Sequence, residues 1–63
     1  MIKDTSIYTL YDNEYYQYWC SADENSAYRE VYEELGHKFY NAIKFDDYNE
    51  SIEFINNNRL MPL

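Results

Sequence analysis

The sequence predicts an α+β fold of β-β-α-β order with an additional C-terminal helix, its antiparallel sheet extended across a homodimer. Three observations predict it. Two aromatic segments of strand period flank a short polar turn, a helix-period segment follows between a capping signal and the single glycine, and a strand signal and then a helix signal come once more. The chain reads as one domain over residues 1–63, with a core at about 5–46 and a helical extension at 47–63. A domain this small buries only about 60% of the surface its unfolded form exposes, so it needs a staple. The single cysteine, Cys20, cannot form an internal disulfide, and Cys20 with His37 is at most half a metal site. Self-association is the staple that is left, through edge strands joined across a two-fold axis.

The first element is Ser6 to Tyr11, where Ile7, Thr9 and Tyr11 alternate with Tyr8 and Leu10. Asp12-Asn13-Glu14 supplies a turn, and Tyr15 to Cys20 returns as a second strand, with Tyr16, Tyr18 and Cys20 on one face and Tyr15, Gln17 and Trp19 on the other. Ser21-Ala-Asp-Glu24 fits a capping box. Ala27, Tyr28, Val31, Tyr32 and Leu35 then recur at helical spacing, and Gly36 suits a left-handed C-terminal cap. The opposite face is Arg29, Glu30, Glu33 and Glu34. Lys38 to Phe45 alternates as the third strand. A second capping box, Asp47-Tyr-Asn-Glu50, opens a short helix carrying Tyr48, Ile52 and Ile55 and fading within Asn56 to Asn58. Both helices are expected to cover one sheet face, and the tail Leu60 to Leu63 either packs or frays.

Composition narrows the function. Nine tyrosines stand in a chain of net charge −7, and seven of them (Tyr8, Tyr11, Tyr15, Tyr16, Tyr18, Tyr28, Tyr32) fall in its first half. A tyrosine ring hides apolar area while its hydroxyl seeks a polar partner, so tyrosine accumulates on surfaces that are dry in a complex and wet outside it. Between Asp12 and Glu34 the acids Asp12, Glu14, Asp23, Glu24, Glu30, Glu33 and Glu34 are opposed by Arg29 alone. Such a surface repels phosphate and anionic lipid, so the expected partner is a basic, nucleic-acid-handling protein rather than nucleic acid or membrane. The unpaired cysteine and the lack of a basic-then-apolar leader suggest a reducing interior, the host cytoplasm. No run approaches the roughly 20 apolar residues that span a bilayer.

Enzymatic constellations are poor: one His, one Cys, no Gly-rich phosphate loop and no metal-ligand spacing, so the chain is expected to be no enzyme and to need no cofactor or metal. The run YYQYW supplies half a core and half an exposed face, and the surplus aromatics need a partner chain. Tyr28 and Tyr32 lie one helical turn apart, either packed on the sheet or forming one wall of a groove. Glu30, Glu33 and Glu34 form a solvated helix face or a row of charges imitating a phosphate backbone. Asp46 and Asp47 are helix N-terminal charges.

The run YYQYW, a helix with Y-x-x-V-Y (Tyr28, Val31, Tyr32) and a strand NAIKFD together resemble the small uracil-DNA glycosylase inhibitors of Bacillus phages. That family carries a Tyr-Tyr-Glu-Tyr strand, an aromatic-x-x-aliphatic-Tyr helix and a closing strand of Ile, Lys, Leu and Asp. The likeness covers Tyr8 to Phe45. It implies a homodimer whose helices flank an apolar groove, in which the protruding leucine of the glycosylase is captured while acidic and polar rims engage its phosphate-binding loops. The partner-binding residues carried over are Tyr15, Tyr16, Gln17, Tyr18, Tyr28, Val31 and Tyr32, with Asp12, Glu14, Glu24, Glu30 and Glu33 as the acidic rim. Gln17 stands where the family has glutamate, which removes one charge, and the extension at 47–63 has no counterpart in the family.

The function expected is therefore a DNA mimic that blocks the cleft of host uracil-DNA glycosylase. A second reading is an acidic mimic aimed at another basic host protein, such as a CRISPR nuclease, restriction enzyme or nucleoid protein. A third is a structural or antitoxin-like dimer whose tyrosines serve self-association alone.

Overall fold

The computed structural model describes residues 6–63; residue 5, where the core is expected to begin, lies outside them. Strand β1, Ile7–Asp12, pairs antiparallel with β2, Gln17–Ser21, so that Leu10 faces Trp19 and Tyr11 faces Tyr18. The turn between them is longer than expected. The Asp12 carboxylate accepts the backbone N–H groups of Glu14 (2.7 Å) and Tyr15 (3.3 Å), and Tyr16 takes a left-handed conformation (φ 58°). Asp12 thus holds the chain in a turn through Tyr16, and Tyr15 and Tyr16 do not enter the second strand.

Helix α1, Glu24–Tyr28, is capped by Asp23, whose carboxylate accepts the Ser26 N–H at 2.8 Å. The expected cap, Ser21, is still in the ladder opposite Tyr8, so β2 uses the residue before the helix can. The helix continues as a π-helical segment, Arg29–Glu34, closed by the Leu35 N–H on the Glu30 carbonyl at 2.9 Å. Gly36 follows with φ 63°, the left-handed conformation that glycine adopts at least cost. Leu35, expected in the apolar stripe, is 48% exposed at the end of this wider-turned segment, whose spacing no longer follows the α-helical period on which that stripe rests.

Strand β3, Asn41–Phe45, pairs antiparallel with β1, Thr9 opposite Ile43. It begins later than expected: Phe39 turns into the core, leaving Lys38 to Tyr40 as a lead-in. Helix α2, Tyr48–Asn57, starts where its capping box predicts, with the Asp47 carboxylate accepting the Glu50 N–H at 3.0 Å. The tail packs. Strand β4, Met61–Pro62, runs parallel to β2, with the Met61 N–H on the Tyr16 carbonyl (2.7 Å) and the Leu63 N–H on the Tyr18 carbonyl (3.0 Å). The α+β class holds, but within the chain the sheet is mixed, in the order β3-β1-β2-β4, rather than antiparallel throughout.

The two helices take opposite faces of the sheet instead of sharing one. Leu10 packs with Ala27, Val31 and Phe39 beneath α1 and the π-helical segment, while Phe54 of α2 meets Tyr11 (ring centroids 5.0 Å apart) and Phe45 (5.4 Å) on the other side. The reason lies in β1: both alternating sets are apolar or small, so each face needs a cover. Thr9 and Ser51 are buried on the α2 side, and there the Ser51 hydroxyl donates to the Tyr48 carbonyl at 2.7 Å. Among the described residues no helix is long and apolar enough to cross a membrane.

Candidate functional site

The first helix lies over β1 and β2, and its two flanks differ. On the β2 flank, Glu30 reaches down to the sheet, where its carboxylate accepts the Trp19 indole N–H (3.3 Å) and the Ser21 hydroxyl (2.9 and 3.2 Å to its two oxygens). This side is closed.

The β3 flank is open. Tyr28 and Tyr32 stand edge to face with ring centroids 5.2 Å apart, and Tyr8 continues the row at 6.1 Å from Tyr28. The Tyr32 hydroxyl donates to the Phe39 carbonyl at 2.9 Å, which ties the wall to the lead-in of β3. Register places Ala42 beside Leu10 and Lys44 beside Tyr8, on the face that α1 covers elsewhere, yet both are exposed. Three tyrosine rings and the exposed Ala42–Lys44 face of β3 therefore form an aromatic shelf. A hydrogen bond with the Tyr28 side chain, then burial, pushes the Tyr8 hydroxyl up to about 12. At one end a cavity of about 190 Å³ is lined by Ser6, Tyr8, Ala22, Asp23, Glu24 and Lys44.

The residues expected at the site do not gather in one place. Tyr28 and Tyr32 share the shelf, whereas Tyr15 and Tyr16 project from the turn at 67% and 54% exposure. Gln17 and Tyr18 are half-buried on β2, where alternation sends them to opposite sheet faces, and β4 pairs with both. The Tyr18 hydroxyl titrates above its ordinary range, chiefly because it is buried. Val31 is fully buried in the core and offers a partner nothing. Of the acidic rim, Glu14, Glu24 and Glu33 are exposed, Asp12 is occupied in the turn, and Glu30 is engaged by Trp19 and Ser21.

Sequence reasoning missed Tyr8, Ala42 and Lys44 as parts of the surface. The parity of the β1–β3 register is the signal that places them together. The Cys20 thiol is pushed up by burial and lies 3.3 Å from the Thr9 hydroxyl, an inert packing position. No group of three or more metal-ligating side chains occurs among the described residues.

Fold and surface together define an acidic α+β domain with an open aromatic shelf beside a sheet edge. In comparisons with known proteins, the chain matches no family model, no curated protein and no solved structure.

Proposed function

We propose that this chain is a phage-encoded protein inhibitor of host uracil-DNA glycosylase, a DNA mimic that fills the enzyme's DNA-binding cleft. The observation that carries the reading is the Tyr8-Tyr28-Tyr32 row above the exposed Ala42–Lys44 face, in a chain of net charge −7. A glycosylase that extrudes a base from duplex DNA needs a positive groove and an apolar side chain that wedges into the base stack. An aromatic shelf accepts the wedge, and the exposed Glu24 and Glu33 face the positive groove. Opposite charge speeds the encounter, and burial of the wedge slows escape.

In this reading the active unit is a homodimer. Among the described residues β3 closes one side of the sheet with no strand beyond it, whereas the edge of β2 is taken by β4. Joining two β3 edges sets two tyrosine walls on either side of one groove, in keeping with the resemblance of YYQYW, Tyr28-x-x-Val31-Tyr32 and NAIKFD to the phage inhibitors.

The test is titration of the purified chain into a uracil-DNA glycosylase assay on uracil-containing DNA, with the mass of the complex recorded. Inhibition saturating near two chains per enzyme is expected. Full glycosylase activity at large excess of the chain overturns the reading.

A further inference from the structure

The hairpin turn and the lead-in to β3 line a half-open cleft of about 360 Å³, bordered by Asp12, Asn13, Glu14, Tyr15, His37, Lys38, Tyr40 and Asn41. It belongs neither to the Tyr8-Tyr28-Tyr32 shelf nor to the cavity at Glu24. Tyr15 and Tyr40 are 67% and 83% exposed, an unusual placement for two large rings that line one cleft. The Glu14 carboxylate is exposed and takes no hydrogen bond from the described residues. Tyr40 already holds a cation: the Lys38 ammonium lies 5.4 Å from its ring centroid, within cation–π range.

We propose that this pocket takes an arginine side chain of a basic protein partner, stacked on Tyr40 and Tyr15 and paired with Glu14. Three features of the pocket suit that group. A guanidinium is planar and weakly hydrated, so it lies on an aromatic face while its edge binds a carboxylate. The chain's charge of −7 draws cationic partners and repels nucleic acid. Lys38 is an internal ligand that a better cation displaces, since its flexible stem lets the ammonium swing away into water at little cost. Because the Tyr32 hydroxyl binds the Phe39 carbonyl, the pocket is anchored to the far end of the shelf, and one basic partner can engage both. The inference does not need the partner to be a glycosylase.

The test uses the full chain and an arginine-containing peptide, with the same peptide carrying citrulline, which keeps the shape and removes the charge. NMR supplies two built-in reporters: His37 is the chain's one histidine and lines the pocket, and Trp19 is its one tryptophan, on the closed β2 flank. The arginine peptide is expected to shift His37 and Tyr40 saturably while leaving Trp19 in place, and citrulline to do neither. Tyr40→Ala and Glu14→Gln each weaken binding about threefold to fivefold, the range for an exposed cation–π contact or ion pair. Lys38→Ala tightens it about twofold or more, because the internal competitor is gone. Equal response to citrulline, shifts spread over the acidic helix, or weaker binding in Lys38→Ala overturns the assignment. These outcomes are independent of the glycosylase assay, so either proposal can fail alone.

Discussion

The two flanks of the first helix are built from the same eleven-residue stretch, Glu24 to Glu34, yet one is sealed and the other is open. On the β2 side a carboxylate, an indole and a hydroxyl satisfy one another. On the β3 side three phenol rings stand over a strand whose Ala42 and Lys44 stay exposed. A domain of 63 residues has little apolar surface to spare, and of this row Tyr8 and Tyr28 are half-buried against the core while Tyr32 is 38% exposed. Polar side chains hold the helix down on the β2 side, whereas on the β3 side a single hydrogen bond, from the Tyr32 hydroxyl to the Phe39 carbonyl, ties the aromatic row to the lead-in of β3.

Leu10 supports both flanks, and Leu10→Ala is expected to lower unfolding free energy by about 2–5 kcal/mol in denaturant titration. A smaller loss with an unchanged fold means that the flanks hold each other without the core.

Next in size is the open flank. Tyr28→Ala and Tyr32→Ala are each expected to weaken glycosylase inhibition by about 2 kcal/mol, roughly 30-fold, as buried aromatic anchors do. Glu33→Ala should change inhibition by less than about 1 kcal/mol, like other rim charges. Equal losses in all three variants point to diffuse electrostatics and to a mimic of another basic target.

On the closed flank, Glu30→Ala leaves the Trp19 indole and the Ser21 hydroxyl without their acceptor. The expected cost is about 1–2 kcal/mol of stability, with inhibition by the remaining folded protein unchanged. A selective loss of inhibition instead assigns Glu30 to the partner surface.

The smallest effect lies at the start of the helix. The Ser26 backbone N–H, then the Ser26 hydroxyl, hold the Asp23 carboxyl below its ordinary value. A depressed carboxyl favours the fold while ionised, so its contribution is present above about pH 4 and fades as pH falls through the folded value. Thermal melts between neutral and acidic pH should have a shallower slope in Asp23→Ala than in the parent chain. An unchanged slope removes Asp23 from the acid response.

Much of the fold was legible locally. Asp47 and Glu50 are three residues apart, and the cap they predict is the cap observed, because capping needs only neighbouring backbone. Ser21 satisfied a cap pattern, but a distant event moved the cap to Asp23: pairing of Ser21 with Tyr8 kept Ser21 in the strand. The site was less legible. The pairing of Tyr28 with Tyr32 follows from local helical spacing, whereas Tyr8 and Lys44 join them only through the β1–β3 register.

What the sequence determined by itself is the α+β class, most of the element order and an acid-rich, tyrosine-rich surface, all of which follow from short-range periodicity and charge. Tertiary structure decided the rest. It put α2 on the second sheet face and laid Met61–Pro62 beside β2, a strand of two residues too short to carry a period. It also buried Val31, engaged Glu30 and left the tyrosine flank open. Those outcomes depend on which distant surfaces meet, and a residue's neighbours in sequence do not carry that information.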